Sequence, residues 1–342
     1  MEKKEALDLK YKDWEALFEG WREPRYRASQ VCDWIYKKRV LSFDSMTNLS
    51  LPLRSRLKEA LDLSLPVLIE RRQSSRGDAI KYLWKLRDGE SVESVVMRYE
   101  GRDTACLSTQ VGCPLGCSFC ATGKSGFVRN LTSGEIVGQF LAMEADIGDS
   151  IENAVYMGMG EPFLNLDAAL DSVRKLNHPK MRALGIRHIA ISTVGIVSGI
   201  KALAHSDLKV RLAVSLHAPN DDLRTHLMPV NASNPLGSLY KALKSFQEIT
   251  GERISIEYML ISDINDGLSL ADELADYLKG LHVYVNLIPY NPTDGLFKRP
   301  PRERVEAFKK RLEGLGYEVA LRKGLGADIE AACGQLRRRA LI

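Results

Sequence analysis

Cys113, Cys117 and Cys120 fall within eight residues, in the run Val111-Gly112-Cys113-Pro114-Leu115-Gly116-Cys117-Ser118-Phe119-Cys120. A loop with this spacing can aim three thiolates at three irons of a cubane that ordinarily takes four cysteines, and one iron is then left over. S-adenosylmethionine (SAM) can chelate the open iron through its amino and carboxylate groups. An electron from the cluster then splits the sulfonium and releases a carbon radical. A tetrahedral zinc site is the competing use of closely spaced thiolates, but it needs a fourth Cys or His, and none is local.

Other residues suit the same chemistry. In Gly160-Glu161-Pro162 a glycine turn bares backbone, and the Glu161 carboxylate can accept from the ammonium of SAM. Ser192, Ser215 with Leu216 and His217, and Asn291 can supply short-range contacts to ribose, carboxylate and adenine. Taken singly, each is an ordinary polar residue at a strand end. Cys106 lies seven residues before the cluster loop, and Cys333 sits in Ala331-Ala332-Cys333-Gly334 near the C-terminus. With Gly324 and Gly326 as pivots, that tail can carry a thiolate into a binding mouth. A small buried hydrophobe is the alternative for either thiol, and it is the preferred reading for Cys32, on the apolar side of a helix.

These side chains need a scaffold. Strands are expected at 105–109, 154–159, 188–193, 210–216, 254–260 and 284–288, with a late edge strand at 318–322. Helices are expected at 134–145, 166–176, 198–204, 238–250, 270–281 and 304–315. Six β-then-α units of this size argue for parallel strands with right-handed crossovers, an α/β fold built on a partial (β/α)6 barrel. In such barrels the chemistry sits at the C-terminal ends of the strands, and the motifs above fall there. Before the barrel, 66–97 changes to a period of two around Asp88-Gly89 and reads as a β-hairpin linker. Residues 1–62 read as short amphipathic helices, around 13–18 and 28–38, that interleave Trp21, Tyr26, Trp34 and Tyr36 with Arg22, Arg25, Arg27, Lys37, Lys38 and Arg39. Such a surface can stack on bases and neutralise phosphates; half-buried aromatics with solvated charges fit equally well. The expected divisions are 1–62 (a helical RNA-contacting domain), 63–98 (the hairpin linker), 99–326 (the barrel) and 327–342 (the cysteine-bearing tail).

The 342 residues are 45% hydrophobic and carry a net charge of +4, which decides little about partners. The charged start has no apolar run after it, and no stretch reaches membrane-span length. Six cysteines, three of them in one loop, do not resemble a secreted disulfide framework. A cytoplasmic protein is expected.

The cluster loop with Gly126-Phe127-Val128-Arg129-Asn130-Leu131, Met157-Gly158-Met159-Gly160-Glu161-Pro162, Ser215-Leu216-His217-Ala218-Pro219-Asn220, Asn286-Leu287-Ile288-Pro289 and Ala331-Ala332-Cys333-Gly334-Gln335-Leu336 closely resemble the radical-SAM RNA methyltransferases of the RlmN/Cfr type. The likeness covers nearly the whole chain. It implies one 4Fe-4S cluster on Cys113, Cys117 and Cys120, and methylation at carbon 2 of an adenosine in 23S rRNA and of the adenosine beside the anticodon in tRNA. It also implies that Cys333 carries the methyl group, that Cys106 closes a transient disulfide with Cys333 to release the RNA, and that Glu93 accepts a proton. From the sequence alone Glu93 is a hairpin surface residue. An electron donor such as flavodoxin or ferredoxin and a monomeric state belong to the same expectation. Methylation at carbon 8 shares every motif. A cluster- or zinc-bearing RNA-binding module would leave Cys106, Cys333 and Glu93 without a joint purpose, and a radical-SAM enzyme for peptides or small molecules would leave the basic, aromatic leader unexplained.

Overall fold

The computed structural model describes residues 3–293 and 295–337, so the last five residues of the expected tail lie outside the described residues. One ten-stranded sheet holds β1 (Val67–Gln73), β2 (Ala79–Lys85), β3 (Ser91–Tyr99), β4 (Arg102–Cys106), β5 (Asn153–Tyr156), β6 (Ile189–Thr193), β7 (Arg211–Ser215), β8 (Ile254–Leu260), β9 (Val283–Pro289) and β10 (Val319–Leu321). Spatial order follows chain order from one edge to the other. From β4 to β10 all neighbours are parallel, which requires the crossover helices read from the sequence. The expected strands are present within about three residues of their bounds. β8 is buried along its whole length, as a parallel strand covered on both faces should be.

The period-two region is larger than a hairpin. β1 to β4 form an antiparallel meander, and because β4 also pairs in parallel with β5 the meander is continuous with the barrel sheet. Gly89, at φ 88°, makes the β2–β3 turn, where left-handed backbone suits glycine.

Helices α1 (Tyr11–Gly20), α2 (Tyr26–Cys32) and α3 (Leu51–Ala60) form the N-terminal layer, with α2 running on into a π-helical turn at Asp33–Lys37. Trp14, Phe18, Cys32, Ile35 and Tyr36 form its core, so Cys32 packs as a hydrophobe. The barrel helices are α4 (Ser133–Ile147), α5 (Leu166–Asn177), α6 (Val197–Ala204), α7 (Asp221–Leu227), α8 (Leu236–Thr250), α9 (Leu268–Leu278) and α10 (Arg302–Gly314). α4 starts on a capping box: Thr132 Oγ1 accepts from Glu135 N at 3.1 Å and Glu135 Oε2 accepts from Thr132 N at 2.9 Å. The leader docks on this helix and on α5. Asp8 Oδ1 accepts from Gly134 N at 2.6 Å, and the buried Lys175 Nζ donates to Leu7 O at 2.6 Å.

Candidate active site

The cysteine loop is held by a close backbone approach. Strands Gln110–Gly112 and Phe127–Asn130 pair antiparallel beside the main sheet, and Cys113 N donates to Gly126 O at 2.9 Å. Gly112 has φ 76°, and a Cβ there would lie 1.8 Å from Gly126 O, so no other residue fits. Beyond it, Ser118 N donates to Leu227 O at 3.0 Å, which fastens the loop to α7, and Cys120 N donates to Cys117 O at 3.1 Å. The three thiols line one cavity at the C-terminal mouth of the barrel, and none is in a disulfide. Burial pushes Cys113 up to about 12 and Cys117 higher still, and a nearby cation would favour the thiolate of these two sulfurs. A tetrahedral zinc ion needs a fourth donor beside these three. A cubane takes one thiolate per iron. The donor set, three free thiols from one loop on one cavity wall, fits that group.

The opposite wall is built on glycine. A Cβ at Gly158 would stand 2.7 Å from the Leu107 carbonyl, and one at Gly160, where φ is 98°, would stand 2.6 Å from Gln110 Cβ. The Glu161 carboxylate faces the cavity but is already fastened: Oε1 accepts from Phe163 N at 3.0 Å and Oε2 from Val194 N at 2.8 Å. Burial pushes it up to about 7 against those two hydrogen bonds. It therefore ties the glycine turn to the end of β6, and lone pairs remain on its oxygens.

Ser192, Ser215, His217 and Asn291 line the same cavity. Leu216 does not: its side chain is in the core, and its carbonyl accepts from Arg224 Nε at 3.1 Å. His217 Nδ1 accepts from Met259 N at 3.0 Å, which places the ring hydrogen on Nε2. The ring meets Phe119 of the cysteine loop edge to face, with centroids 5.1 Å apart. Asn291 Oδ1 accepts from Arg299 Nη1 at 3.0 Å.

Two further thiols open on this cavity. Cys106 comes from the end of β4, and Cys333 from the C-terminal loop. Both are free, so the disulfide that the resemblance implies is not formed in this structure. Burial pushes Cys106 up to about 12; the Cys333 sulfur adds to this and Arg322 opposes it. The loop turns on Gly326 (φ 62°), Glu330 (φ 54°) and Gly334 (φ 83°). Gly334 O accepts from Ala121 N at 2.8 Å and Leu336 O from Thr122 Oγ1 at 2.5 Å, so the loop rests on the residues next to Cys120.

Glu93 corrects the sequence reading. It is not a surface residue but fully buried on β3, paired through Oε2 with Lys81 Nζ at 3.0 Å. The C-terminal segment covers it, with Arg337 N donating to Glu93 Oε2 at 3.0 Å.

Sequence reasoning missed Glu257, Arg299 and Arg322, which also line the cavity. Glu257 is a carboxylate inside the apolar run of β8, and that was a usable signal. It accepts from Ser255 Oγ at 2.6 Å and Asn286 Nδ2 at 2.7 Å. Arg322 follows the last strand, where barrel chemistry gathers. Its guanidinium stands 3.9 Å from Glu257 Oε2 and is held above its ordinary range, first by the Cys333 sulfur.

Residues 107–274 match the radical SAM superfamily, and residues 5–63 match the ribosomal RNA large subunit methyltransferase N-terminal domain. A curated relative from Thermotoga neapolitana, "Probable dual-specificity RNA methyltransferase RlmN", is 51% identical over 98% of this chain and 97% of its own length. The chain belongs to the RlmN family. A second RlmN relative, from Thermosipho melanesiensis, is 51% identical over 99% of both chains. A solved radical SAM methyltransferase from Sphaerobacter thermophilus superposes with a TM-score of 0.94 at 43% identity, covering 98% of this chain and 99% of that one. Membership in the RlmN family embraces the leader as well as the barrel, so both parts of the sequence reading fall within one family.

Proposed function

We propose that this chain methylates carbon 2 of a specific adenosine in 23S rRNA and of the adenosine beside the anticodon in tRNA. One observation carries the reading as a methyl transfer through a carrier thiol: two free thiols, Cys106 and Cys333, share a cavity with the three cysteines of a cluster loop. A radical SAM enzyme without a carrier thiol has no use for the second pair. Carbon 2 of adenine lies between two ring nitrogens and is too electron-poor to attack a sulfonium methyl, which is why a carrier is required.

Cys113, Cys117 and Cys120 would hold a 4Fe-4S cluster, which when bound supplies the electron that cleaves SAM to a carbon radical. The chain's own residues do the rest. Cys333 Sγ takes a methyl group from one SAM by displacement and becomes the covalent carrier. After hydrogen abstraction from that methyl its carbon bonds to the adenine, and the RNA is tethered through Cys333. Glu93 accepts the carbon-2 proton. The excess electron of the adduct returns to the redox chain that supplied it; the Cys106 thiolate then attacks the Cys333 sulfur, the carbon–sulfur electron pair passes to the methylene carbon, which takes up a proton, and the methylated base leaves as a Cys106–Cys333 disulfide forms. Gly160, Glu161, Ser192, Ser215, His217 and Asn291 would orient SAM, with Leu216 fixing the backbone between two of them. The target base must leave its stack to reach this mouth.

A flavodoxin- or ferredoxin-type donor, a monomeric state and a cytoplasmic setting complete the reading; among the described residues no helix is long and apolar enough to cross a membrane. The test is anaerobic incubation of the iron-loaded enzyme with SAM, reductant, and 23S rRNA or tRNA, followed by mass spectrometry of the nucleosides. 2-Methyladenosine is expected from both RNAs, and none from Cys333→Ala. 8-Methyladenosine would overturn the position, and intact SAM would overturn the mechanism.

A further inference from the structure

Lys81 has no place in the chemistry described above, yet it is one of the few lysines buried in the molecule, with 3% of its side chain exposed. The sheet register explains where it points. Lys81 of β2 lies opposite Val95 of β3, and Val95 lies opposite Cys106 of β4. Directly opposed residues share a face, and so does a residue two positions along the same strand. Lys81, Glu93 and Cys106 therefore project on one side of the meander, the side that the Cys333 loop covers.

Contacts among the described residues join that side to the loop. Lys81 Nζ, 3.0 Å from Glu93 Oε2, also donates to Glu330 O at 2.9 Å. Glu93 Oε2 accepts from Arg337 N at 3.0 Å. Glu330 and Arg337 are the two ends of the segment that bears Cys333, and they meet in a half-exposed ion pair at 3.2 Å. An ion pair so exposed closes the neck only weakly. The stronger hold is the buried one, where ammonium and carboxylate each grip one strand of the neck. An apolar pair would fill the same space without the cost of burying charge, but it would hold neither the carbonyl nor the amide.

We propose that Lys81 is a positioning residue, which through one ammonium fixes the Glu93 carboxylate and the neck of the Cys333 loop, and so sets the proton acceptor and the methyl carrier relative to each other. The part concerning Glu93 rests on its reading as proton acceptor; the part concerning the neck does not.

The test compares Lys81→Met, Glu93→Gln and the double variant, all as full-length, iron-loaded enzyme. Two quantities are read. One is the rate at which iodoacetamide alkylates Cys333 without RNA, located by peptide mass. The other is the lifetime of the Cys333–RNA adduct after SAM, reductant and an rRNA fragment are added. Lys81→Met should raise Cys333 alkylation about threefold or more and lengthen the adduct lifetime about tenfold or more. In the Glu93→Gln background Lys81→Met should lengthen that lifetime no further, because both changes act through one carboxylate. Lys81→Met with full iron content, unchanged alkylation and unchanged adduct lifetime overturns the proposal. Should Lys81→Met fail to fold, the double variant, which buries neither charge, decides: Cys333 alkylation at the wild-type rate there overturns the hold on the neck. If Glu93→Gln alone clears the adduct normally, Glu93 is not the proton acceptor, and alkylation of Lys81→Met still decides the neck.

Discussion

His217 bridges the cysteine loop and the sheet, since its imidazole touches the loop at Phe119 and its Nδ1 fixes the end of β8. That geometry requires a neutral ring. Burial, with the Arg224 charge second, pushes His217 from 6.5 down to about 3. The unfolded chain therefore takes up a proton on this histidine as pH falls below its ordinary value, while the folded chain does not. Stability is unaffected by the group above that value and is lost by up to about 1.4 kcal/mol per pH unit below it. Asparagine tolerates the φ of 60° found here, and its side-chain oxygen can replace Nδ1 as acceptor. Urea unfolding of His217→Asn at pH 7.5 and pH 5 should thus show a smaller acid loss than the parent. An equal loss in both would mean that the histidine is not held neutral. At this scale the thiols were legible and Glu93 was not. A hairpin strand normally keeps one wet face, and Glu93 is buried because a segment more than two hundred residues later covers that face. No local pattern announces such a partner.

At the scale of elements the crossover helices and parallel strands were legible, because each carries its own apolar period and the parallel order follows from connection rules. Two small elements were not. α7 was not anticipated, although its cap, Asn220, whose side chain accepts from Leu223 N at 3.0 Å, lies inside a recognised motif. The strand pair that frames the cysteine loop is too short to show a period. The loop's shape nonetheless depends on that pair. Gly112→Ala forces a Cβ into Gly126 O, while Gly116, also left-handed at φ 64°, has nothing within 4 Å of the position a Cβ would take. Gly112→Ala should therefore lose most of its cluster iron while far-ultraviolet circular dichroism stays near the parent, since the ten-stranded sheet does not include the pair. Gly116→Asn should keep its iron at a cost of about 1 kcal/mol in stability or less. Equal iron in Gly112→Ala and the parent would show that the backbone approach does not shape the loop.

Across the whole molecule, the leader and the barrel pack as one body. Burial divides the leader's aromatics. Trp14, Phe18 and Tyr36 are core, whereas Tyr26 is 57% exposed and Lys38 Nζ lies 3.9 Å above the half-buried Trp34 ring. Deleting the leader would strip its cover from α4 and α5, where Asp8 and Leu7 respectively are bonded, so truncation would confound RNA binding with folding. Surface charge is the cleaner probe. Lys37 and Lys38 are exposed beside Trp34, and their contacts with Asp33, at 3.6 and 3.7 Å, are of the weak, solvent-screened kind. With a net charge of only +4 on the chain, attraction for RNA must come from local clusters of this sort. If these lysines meet phosphates, the Lys37→Gln, Lys38→Gln double variant should flatten the plot of log affinity against log salt. The expected change is roughly 0.7 to 0.9 per lost contact. The proposed methyl transfer from SAM to Cys333, a step in which RNA takes no part, should keep its parental rate. A parental salt slope in the double variant would move the RNA-binding surface away from this part of the leader, and a slowed transfer to Cys333 would show that leader and barrel are coupled beyond simple docking.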